Sequence, residues 1–148
     1  MRQDTAGVVG PLPNVLGMPS PRFRARDDVR DPDDFANPAV FRPRWVLPPG
    51  GQEAFLWASV VHHLHARAIR RAFEEDGRFQ SLKHLCRARH LPYKVIVDML
   101  NGTSALRMEV IGGVAFHLGP GSLVSPAEID KALDQAANDI GVARPPRP

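Results

Sequence analysis

The stretch LKHLCRARHLPYKVIVDMLNG, residues 82–102, contains two short helix patterns separated by a turn that includes a proline. Ser81 can accept a hydrogen bond as the N-cap of a helix over Leu82–Arg89. Proline is tolerated at the start of a helix, because the first amide has no partner there, so a second helix is predicted over Pro92–Leu100. The Asn-Gly pair that follows accepts left-handed conformations and ends this second helix.

Both predicted helices are apolar on one face, and the second presents Tyr93 and Lys94 outward at its start. Two such helices joined by a tight turn are typical of a helix-turn-helix, in which the second helix enters the major groove of DNA. This pattern predicts that Tyr93 and Lys94 contact base edges. By their spacing, the inward positions are Leu82, Leu85 and Cys86 on the first helix, and Val95, Ile96 and Met99 on the second.

Three further helices are predicted, over Gln52–Asp76, about Ala105–Leu118, and Pro126–Ile140, so the expected fold is an all-α domain of four to five helices. The first is 25 residues long and leaves room for a break near His62–His65. The last begins with the capping box SPAE and either docks on the domain or pairs with a second subunit. Spacings of three and four predict an inward stripe on the first helix at Ala54, Trp57, Ala58, Val61, Leu64, Ala68, Ile69, Ala72 and Phe73.

Proline usage divides the chain into a central domain with an arm on each side. Nine of the 15 prolines lie in residues 1–50, which are predicted to form a Pro/Arg-rich arm that is extended or disordered when free. Its most apolar part, FRPRWVL at residues 41–47, either folds back onto the core or docks on a partner protein. Residues 51–119 are predicted to form the helix-turn-helix domain, and residues 120–148 a docking or dimerisation helix with a tail.

Positive charge is concentrated near the two short helices. Residues 62–94 carry eight Arg or Lys against three acids, together with five histidines, although the net charge of the whole chain is only +3. Such clustering favours a phosphate backbone or another polyanion, and the alternative is a solvated helix face. Arg22, Arg24 and Arg26 in the first arm either enter the minor groove of DNA or remain solvated.

Other classes of function have little support in the sequence. The tract His62–His65 and the trio of His84, Cys86 and His90 lack a full set of metal ligands at matching spacing, so we expect histidines on a basic helix face and no metal. No catalytic or phosphate-loop motif is present, so neither an enzyme nor a cofactor is predicted. We find no signal peptide and no apolar run that could span a membrane, and we expect a cytoplasmic, nucleoid-associated protein.

Residues 82–106 resemble the phage-repressor or Cro-type helix-turn-helix family, the lambda repressor-like or xenobiotic-response-element family. Cys86 stands at the small inner position of the first helix, and MLNGTSAL, Met99–Leu106, resembles the close of the second helix. EVIGGVAFHLG, Glu109–Gly119, is similar to the fourth helix of the family, and the whole resemblance covers residues 64–119. The chain departs from the family at His90, where glycine is usual in the turn, and at Leu82, where many members have a polar residue.

The resemblance implies a sequence-specific, double-stranded-DNA-binding transcriptional regulator of the repressor type, acting as a homodimer. An ammonium group such as that of Lys94 can donate to guanine O6 and N7, whereas the carboxylate of Asp98 would be repelled by phosphates. The competing hypothesis is a protein-interaction module, adaptor or antitoxin-like, that keeps the fold without binding DNA. Carried over by position, the base contacts are Tyr93, Lys94, Val97 and Asp98, and the backbone contacts are Lys83, Arg87, Arg89, Asn101 and Ser104.

Overall fold

The computed structural model describes residues 24–40 and 42–146. Their regular structure is helical, which confirms the predicted all-α class, and the only β-type pairing among them is an isolated bridge between Val29 and Trp45. None of these helices combines the length and the apolar character that crossing a bilayer requires. The helices are α1 (Glu53–Asp76), α2 (Leu82–Arg89), α3 (Tyr93–Leu100), α4 (Met108–Leu118) and α5 (Pro126–Ile140).

The long helix α1 is unbroken and lies at the centre of the domain. It contacts α3, α4 and α5, and it also contacts the short 3-10 helices Ala25–Asp28 and Pro120–Ser122. A helix surrounded in this way buries more than one face, whereas the apolar-stripe argument assumes a single buried face.

The predicted inward stripe of α1 is therefore wrong in its first half. Ala54 and Ala58 are exposed, and the buried Ser59, His62 and His63 take their place in the interior. Of the later stripe residues, Ala68 and Ile69 are buried, whereas Ala72 and Phe73 are half-buried. The buried residues of α1 are Leu56, Ser59, Val60, His62, His63, Ala66, Ala68 and Ile69.

The expectation that the histidines of α1 lie on a basic surface is also wrong for His62 and His63, which are buried. His62 Nε2 donates to the carbonyl oxygen of Met99 at 2.7 Å, and His63 Nδ1 accepts from the amide of Ala36 at 2.9 Å. Each bond satisfies one ring nitrogen and so lowers the cost of burying the imidazole, although the buried Nδ1 of His62 has no hydrogen-bond partner among the described residues. Nothing in the local sequence pattern indicates these long-range partners.

The described residues before α1, 24–40 and 42–52, pack on the core, as the fold-back alternative for FRPRWVL expected of Trp45. Residues 25–28 and 32–34 form 3-10 helices, and the Val29–Trp45 bridge closes the segment on itself. Phe35 and Trp45 are buried, and the Trp45 ring meets the His63 ring edge-on at 5.5 Å. Isolated aromatic side chains dock here without any periodic pattern, so the sequence contains no regular signal for the packing.

The structure describes two of the three arginines, Arg24 and Arg26, that were predicted either to enter the minor groove of DNA or to remain solvated. Arg26 pairs with Asp33 at 3.1 Å, and its backbone amide donates to the carbonyl of Gly102 at 3.2 Å. Arg26 is therefore held against the domain, and Arg24 caps the first 3-10 helix in an extended conformation. Arg22 and Phe41 lie outside the described residues.

Helix α5 docks on α1. Ala136 and Ala137 are buried, and Ala132, Leu133 and Ile140 pack partly buried against the core. The apolar stripe that the sequence offered for either docking or dimerisation is thus occupied within the chain, and a homodimer would need another surface. The Ser125 hydroxyl accepts from the amide of Glu128 at 3.2 Å, as the capping motif predicts.

Three helix starts differ from the predicted bounds. Helix α1 begins at Glu53, and Gln52 is its N-cap. Pro92 is the N-cap of α3 rather than its first residue, with its backbone extended. The fourth helix begins at Met108 rather than near Ala105, because the loop before it is tied back: the hydroxyl of Thr103 donates to the carbonyl of Asp98 at 3.1 Å.

Replacing Trp45 by alanine tests whether the segment before α1 is part of the core. Trp45 is 4% exposed, so Trp45→Ala should lower the free energy of unfolding by about 3–5 kcal/mol. Phe116→Ala is the matched control, because Phe116 is 83% exposed and its loss should change stability by about 0.5 kcal/mol or less. Urea denaturation measures both variants, and equal small effects would mean that the segment is not docked.

The buried His63 predicts a specific loss of stability in acid. Burial, helped by the charges of Arg67 and His62, lowers the pKa of His63 to about 4. In the unfolded chain the His63 imidazole has a pKa near 6.5 and binds a proton below that pH, whereas in the folded chain it stays neutral down to about pH 4. The free energy of unfolding therefore falls between about pH 6.5 and pH 4. Across this pH range the shifted pKa of His63 lowers the free energy of unfolding by about 3 kcal/mol.

His63→Gln keeps an acceptor for the Ala36 amide but does not titrate. Denaturant midpoints of both proteins between pH 7 and pH 4 should show a shallower fall for the variant. Parallel curves for the two proteins would show that His63 is not buried in its neutral form.

Candidate nucleic-acid interface

Helices α2 and α3 are consecutive, in contact, and joined by a three-residue turn, residues 90–92. The Ser81 hydroxyl accepts from the amide of His84 at 3.0 Å and caps α2. His90 ends α2 in the left-handed conformation, with φ 57° and ψ 40°, and the amide of Leu91 donates back to the carbonyl of Cys86 at 2.8 Å. His90 thus adopts the conformation for which the resembled family usually has glycine in this turn.

The inner faces of α2 and α3 are packed as their spacing predicts. Leu85 and Cys86 of α2 are buried, and so are Ile96 and Met99 of α3. Sequence spacing alone did not assign Leu100, which is buried beside them. With this face fixed against the core, the opposite face of α3 is turned outward.

Tyr93 and Lys94 lie on that outer face. Tyr93 is 41% exposed, and the side chain of Lys94 is 84% exposed. Lys94 Nζ lies 3.0 Å from both carboxylate oxygens of Asp98, one helical turn later. Val97 and Asp98 are half-buried, so the two residues at the start of the helix are the more accessible pair.

The residues predicted to contact the DNA backbone fall into two groups by their exposure. Lys83, Arg87 and Arg89 are exposed on α2, and the Arg89 guanidinium lies 5.5 Å from the centre of the Phe79 ring. Asn101 is half-buried, and its side-chain oxygen accepts from Arg70 Nη2 at 2.7 Å. The first group is available to an external partner, whereas the Asn101 oxygen already serves the packing of α3 on α1.

Ser104 is likewise half-buried, and its amide donates to the carbonyl of Asp98 at 3.3 Å. Arg70 of α1 is a neighbour of this surface that the sequence did not connect with it. Its spacing in α1 carries no indication of a partner 31 residues later in the chain.

The electrostatic character of this surface is basic. Residues 78–98 contain five arginines and lysines and a single acid, Asp98. Arg78 extends the cationic surface beside α2, although its charge is shared with Asp76 at 2.7 Å and its Nη2 donates to the carbonyl of His117. The arrangement suits an anion that runs along α2 and across the start of α3.

Metal and thiol chemistry have no support at this place. Within residues 24–40 and 42–146, no group of three or more His, Cys, Asp or Glu side chains could hold a metal ion. Cys86 is buried, and burial raises the pKa of its thiol, which disfavours the reactive thiolate. His84 Nδ1 accepts from the amide of Gln80 at 3.2 Å and so belongs to the start of α2.

Comparison of the chain with protein-family models, with curated proteins and with solved structures finds no match. Functional inference therefore depends on the geometry and charge of the α2–α3 surface.

The left-handed conformation of His90 can be tested by substitution. A non-glycine residue in this conformation is strained, and glycine relieves the strain at some entropic cost, so His90→Gly should raise the free energy of unfolding by about 0.5–1 kcal/mol. Ala88→Gly, within α2, is the matched control and should lower it by about 1 kcal/mol. Thermal and urea denaturation measure the two effects, and destabilisation by His90→Gly would contradict the turn geometry.

Proposed function

We propose that the chain is a sequence-specific, double-stranded-DNA-binding transcriptional regulator of the repressor type, with α3 in the major groove. The observation that supports it best is the exposure of Tyr93 and Lys94 at the first turn of α3, beside the cationic surface of α2. In this proposal the protein acts in the cytoplasm at the nucleoid, as a homodimer, and performs no catalysis.

The roles of the side chains follow from their position and chemistry. Lys83, Arg87 and Arg89 would bind phosphates, which supplies affinity and orientation without sequence information. Tyr93 and Lys94 would contact base edges, where a lysine can donate to guanine O6 and N7. Asn101 contributes through its amide nitrogen, since Arg70 occupies its oxygen.

The ion pair between Lys94 and Asp98 does not oppose this role. An exposed pair at i and i+4 is worth about 0.3–0.5 kcal/mol, whereas a good contact to a base edge discriminates by about 1–3 kcal/mol. Lys94 therefore gains by exchanging the carboxylate for a guanine edge. Asp98 then lies next to the bases, where a carboxylate accepts from a cytosine amino group and penalises other pairs.

A second candidate function, a protein-interaction module that does not bind DNA, is favoured by one observation on α4. Met108 is 71% exposed and Phe116 83% exposed, both on the outer side of the helix, with the exposed Gly112 between them. Large apolar side chains at such exposure are common features of partner surfaces. Contacts of this kind would change little with salt, unlike contacts to phosphates.

DNA selection from a random duplex pool, followed by binding measurements on the winning duplex, tests the main proposal. Lys94→Ala should reduce the ratio of affinities for the selected and a scrambled duplex by about tenfold, because it removes a base contact. Arg87→Ala should weaken binding to both duplexes alike and reduce the slope of log K against log salt by about 0.9, because it removes one phosphate contact. Lys131→Ala, which removes one positive charge from α5, is the control and should leave the ratio unchanged.

The same measurements separate the two candidate functions. Enrichment of no duplex at low salt, or equal affinities of all three variants for every duplex, would reject DNA binding through α3. A partner captured with Phe116 intact and lost in Phe116→Ser, with little salt dependence, would then support the interaction module.

A further inference from the structure

A cavity of about 320 Å³ lies between α1, α5 and the segment around residues 42–45. Neither α2 nor α3 contributes a residue to its lining. A ligand in this cavity would therefore be bound separately from DNA at the proposed α2–α3 surface.

One wall of the cavity is apolar and rigid. Pro43 and Trp45 are buried, and Leu64 and Ala132 are half-buried beside them. The buried ring of Trp45 meets the His63 ring edge-on, and the backbone amide of Trp45 donates to Asp139 Oδ2 at 3.1 Å, so both its ring and its backbone are in fixed contacts. A fixed aromatic wall of this kind suits a flat or branched apolar group.

The other wall is cationic. Arg42, Arg67, Arg71 and Lys131 line it, and Glu128 is the single acid among the lining residues. Among the residues that the structure describes, no ion pair within 4.0 Å involves any of these four cations. The positive charge at the cavity is thus largely uncompensated within this part of the chain.

Arg67 is held in place without being neutralised. Its Nη2 donates to the carbonyl of Pro38 at 2.8 Å and its Nε to the carbonyl of Val40 at 3.3 Å. Burial lowers the pKa of Arg67, and the nearby charge of Arg71 lowers it further, while Glu128 opposes the shift. Two guanidinium groups that repel each other in a partly desolvated cavity form a site at which an anion is stabilising.

We propose that this cavity binds a small organic anion, with an apolar ring or short chain against Trp45 and a phosphate or carboxylate group held by Arg71 and Lys131. The volume is at the lower end of the range of about 300–1,000 Å³ for small-molecule sites, so the ligand is a metabolite-sized molecule rather than a polymer. Arginine binds phosphate and carboxylate groups through two parallel hydrogen bonds, which matches the cationic wall. The buried neutral His63 at the back of the cavity adds polarity without charge.

Tryptophan fluorescence provides the measurement, because the chain has two tryptophans and Trp57→Phe leaves Trp45 as the only one. This protein is titrated with phenyl phosphate, benzoate, benzyl alcohol and inorganic phosphate. Phenyl phosphate or benzoate should change the Trp45 emission saturably, and the tighter of the two identifies the anionic group. Benzyl alcohol and inorganic phosphate should each bind at least about tenfold more weakly, since each lacks half of the recognised chemistry.

Paired substitutions locate the site. In the Trp57→Phe background, Arg71→Gln with Lys131→Gln should weaken binding of the better probe at least about tenfold. Lys83→Gln with Arg87→Gln removes the same charge from α2 and should leave the affinity unchanged, with circular dichroism confirming that both proteins are folded.

Several results would overturn the proposal. These are the absence of saturable binding for both organic anions, equal binding of benzyl alcohol, and equal binding of inorganic phosphate, which would indicate a nonspecific anion effect. Equal weakening by the two double substitutions would likewise assign the effect to net charge rather than to the cavity. DNA binding by α3 is measured separately, so its failure leaves these outcomes interpretable.

Discussion

The buried hydrogen bond from His62 Nε2 to the carbonyl of Met99, 2.7 Å long, joins the central helix to the end of α3. The Met99 carbonyl lies in the last turn of α3 and also accepts from the amide of Gly102 at 3.1 Å, so His62 adds a second donor, from a core side chain, to this oxygen. Because a carbonyl only accepts, the imidazole carries its hydrogen on Nε2. Burial lowers the pKa of His62, with the bond to Met99 opposing the shift, which favours the neutral imidazole.

This constraint determines which side of α3 faces solvent. Ile96, Met99 and Leu100 pack inward next to the bond, and Arg70 holds Asn101 at 2.7 Å just beyond the helix end. Rotation of α3 about its axis would break these contacts together. The exposure of Tyr93 and Lys94 is therefore a consequence of how the opposite side is held, and the proposed DNA surface depends on a core that α1 organises.

The described residues before α1 also pack against His62 and His63. Phe35 meets the His62 and His63 rings edge-on at 5.4 and 5.5 Å, and its ring lies so close to Gly102 that an added Cβ would be 2.7 Å from it. Gly102 therefore has two roles: with φ 72° it follows the end of α3, and its missing side chain leaves room for the Phe35 ring. The two buried histidines, the N-terminal segment and the end of α3 form one packed unit.

Helices α2, α3 and α5 could be predicted from the sequence because capping residues and apolar spacing lie within each helix or next to it. Ser81 and Ser125 cap their helices, and the spacing of Leu85, Ile96 and Met99 defines inner faces without knowledge of a partner. The same rules placed Tyr93 and Lys94 on the surface, and the resemblance placed Lys83 and Arg87 there; the structure has all four exposed.

The buried polar residues of α1 and the cavity beside Trp45 could not be predicted, because both depend on contacts between distant parts of the chain. His63 becomes a core residue only when Ala36, 27 residues earlier, supplies a donor. Trp45 and Arg71 line one cavity to which α5 contributes Glu128 and Lys131, so the cavity is built from three distant parts of the chain. The burial of polar residues in α1 follows from its central position, which no single stretch of sequence encodes.

In the proposed function, α3 is held against the core by His62 and its neighbours and contacts a DNA duplex through its outer face. Backbone amide chemical shifts, recorded as a selected duplex is added to the labelled protein at low salt, locate the bound surface directly. Binding through α3 should give the largest changes at Lys83, Arg87, Arg89, Tyr93 and Lys94, with small changes at α5. Changes confined to Met108 and Phe116 on α4, or no changes at all, would contradict it.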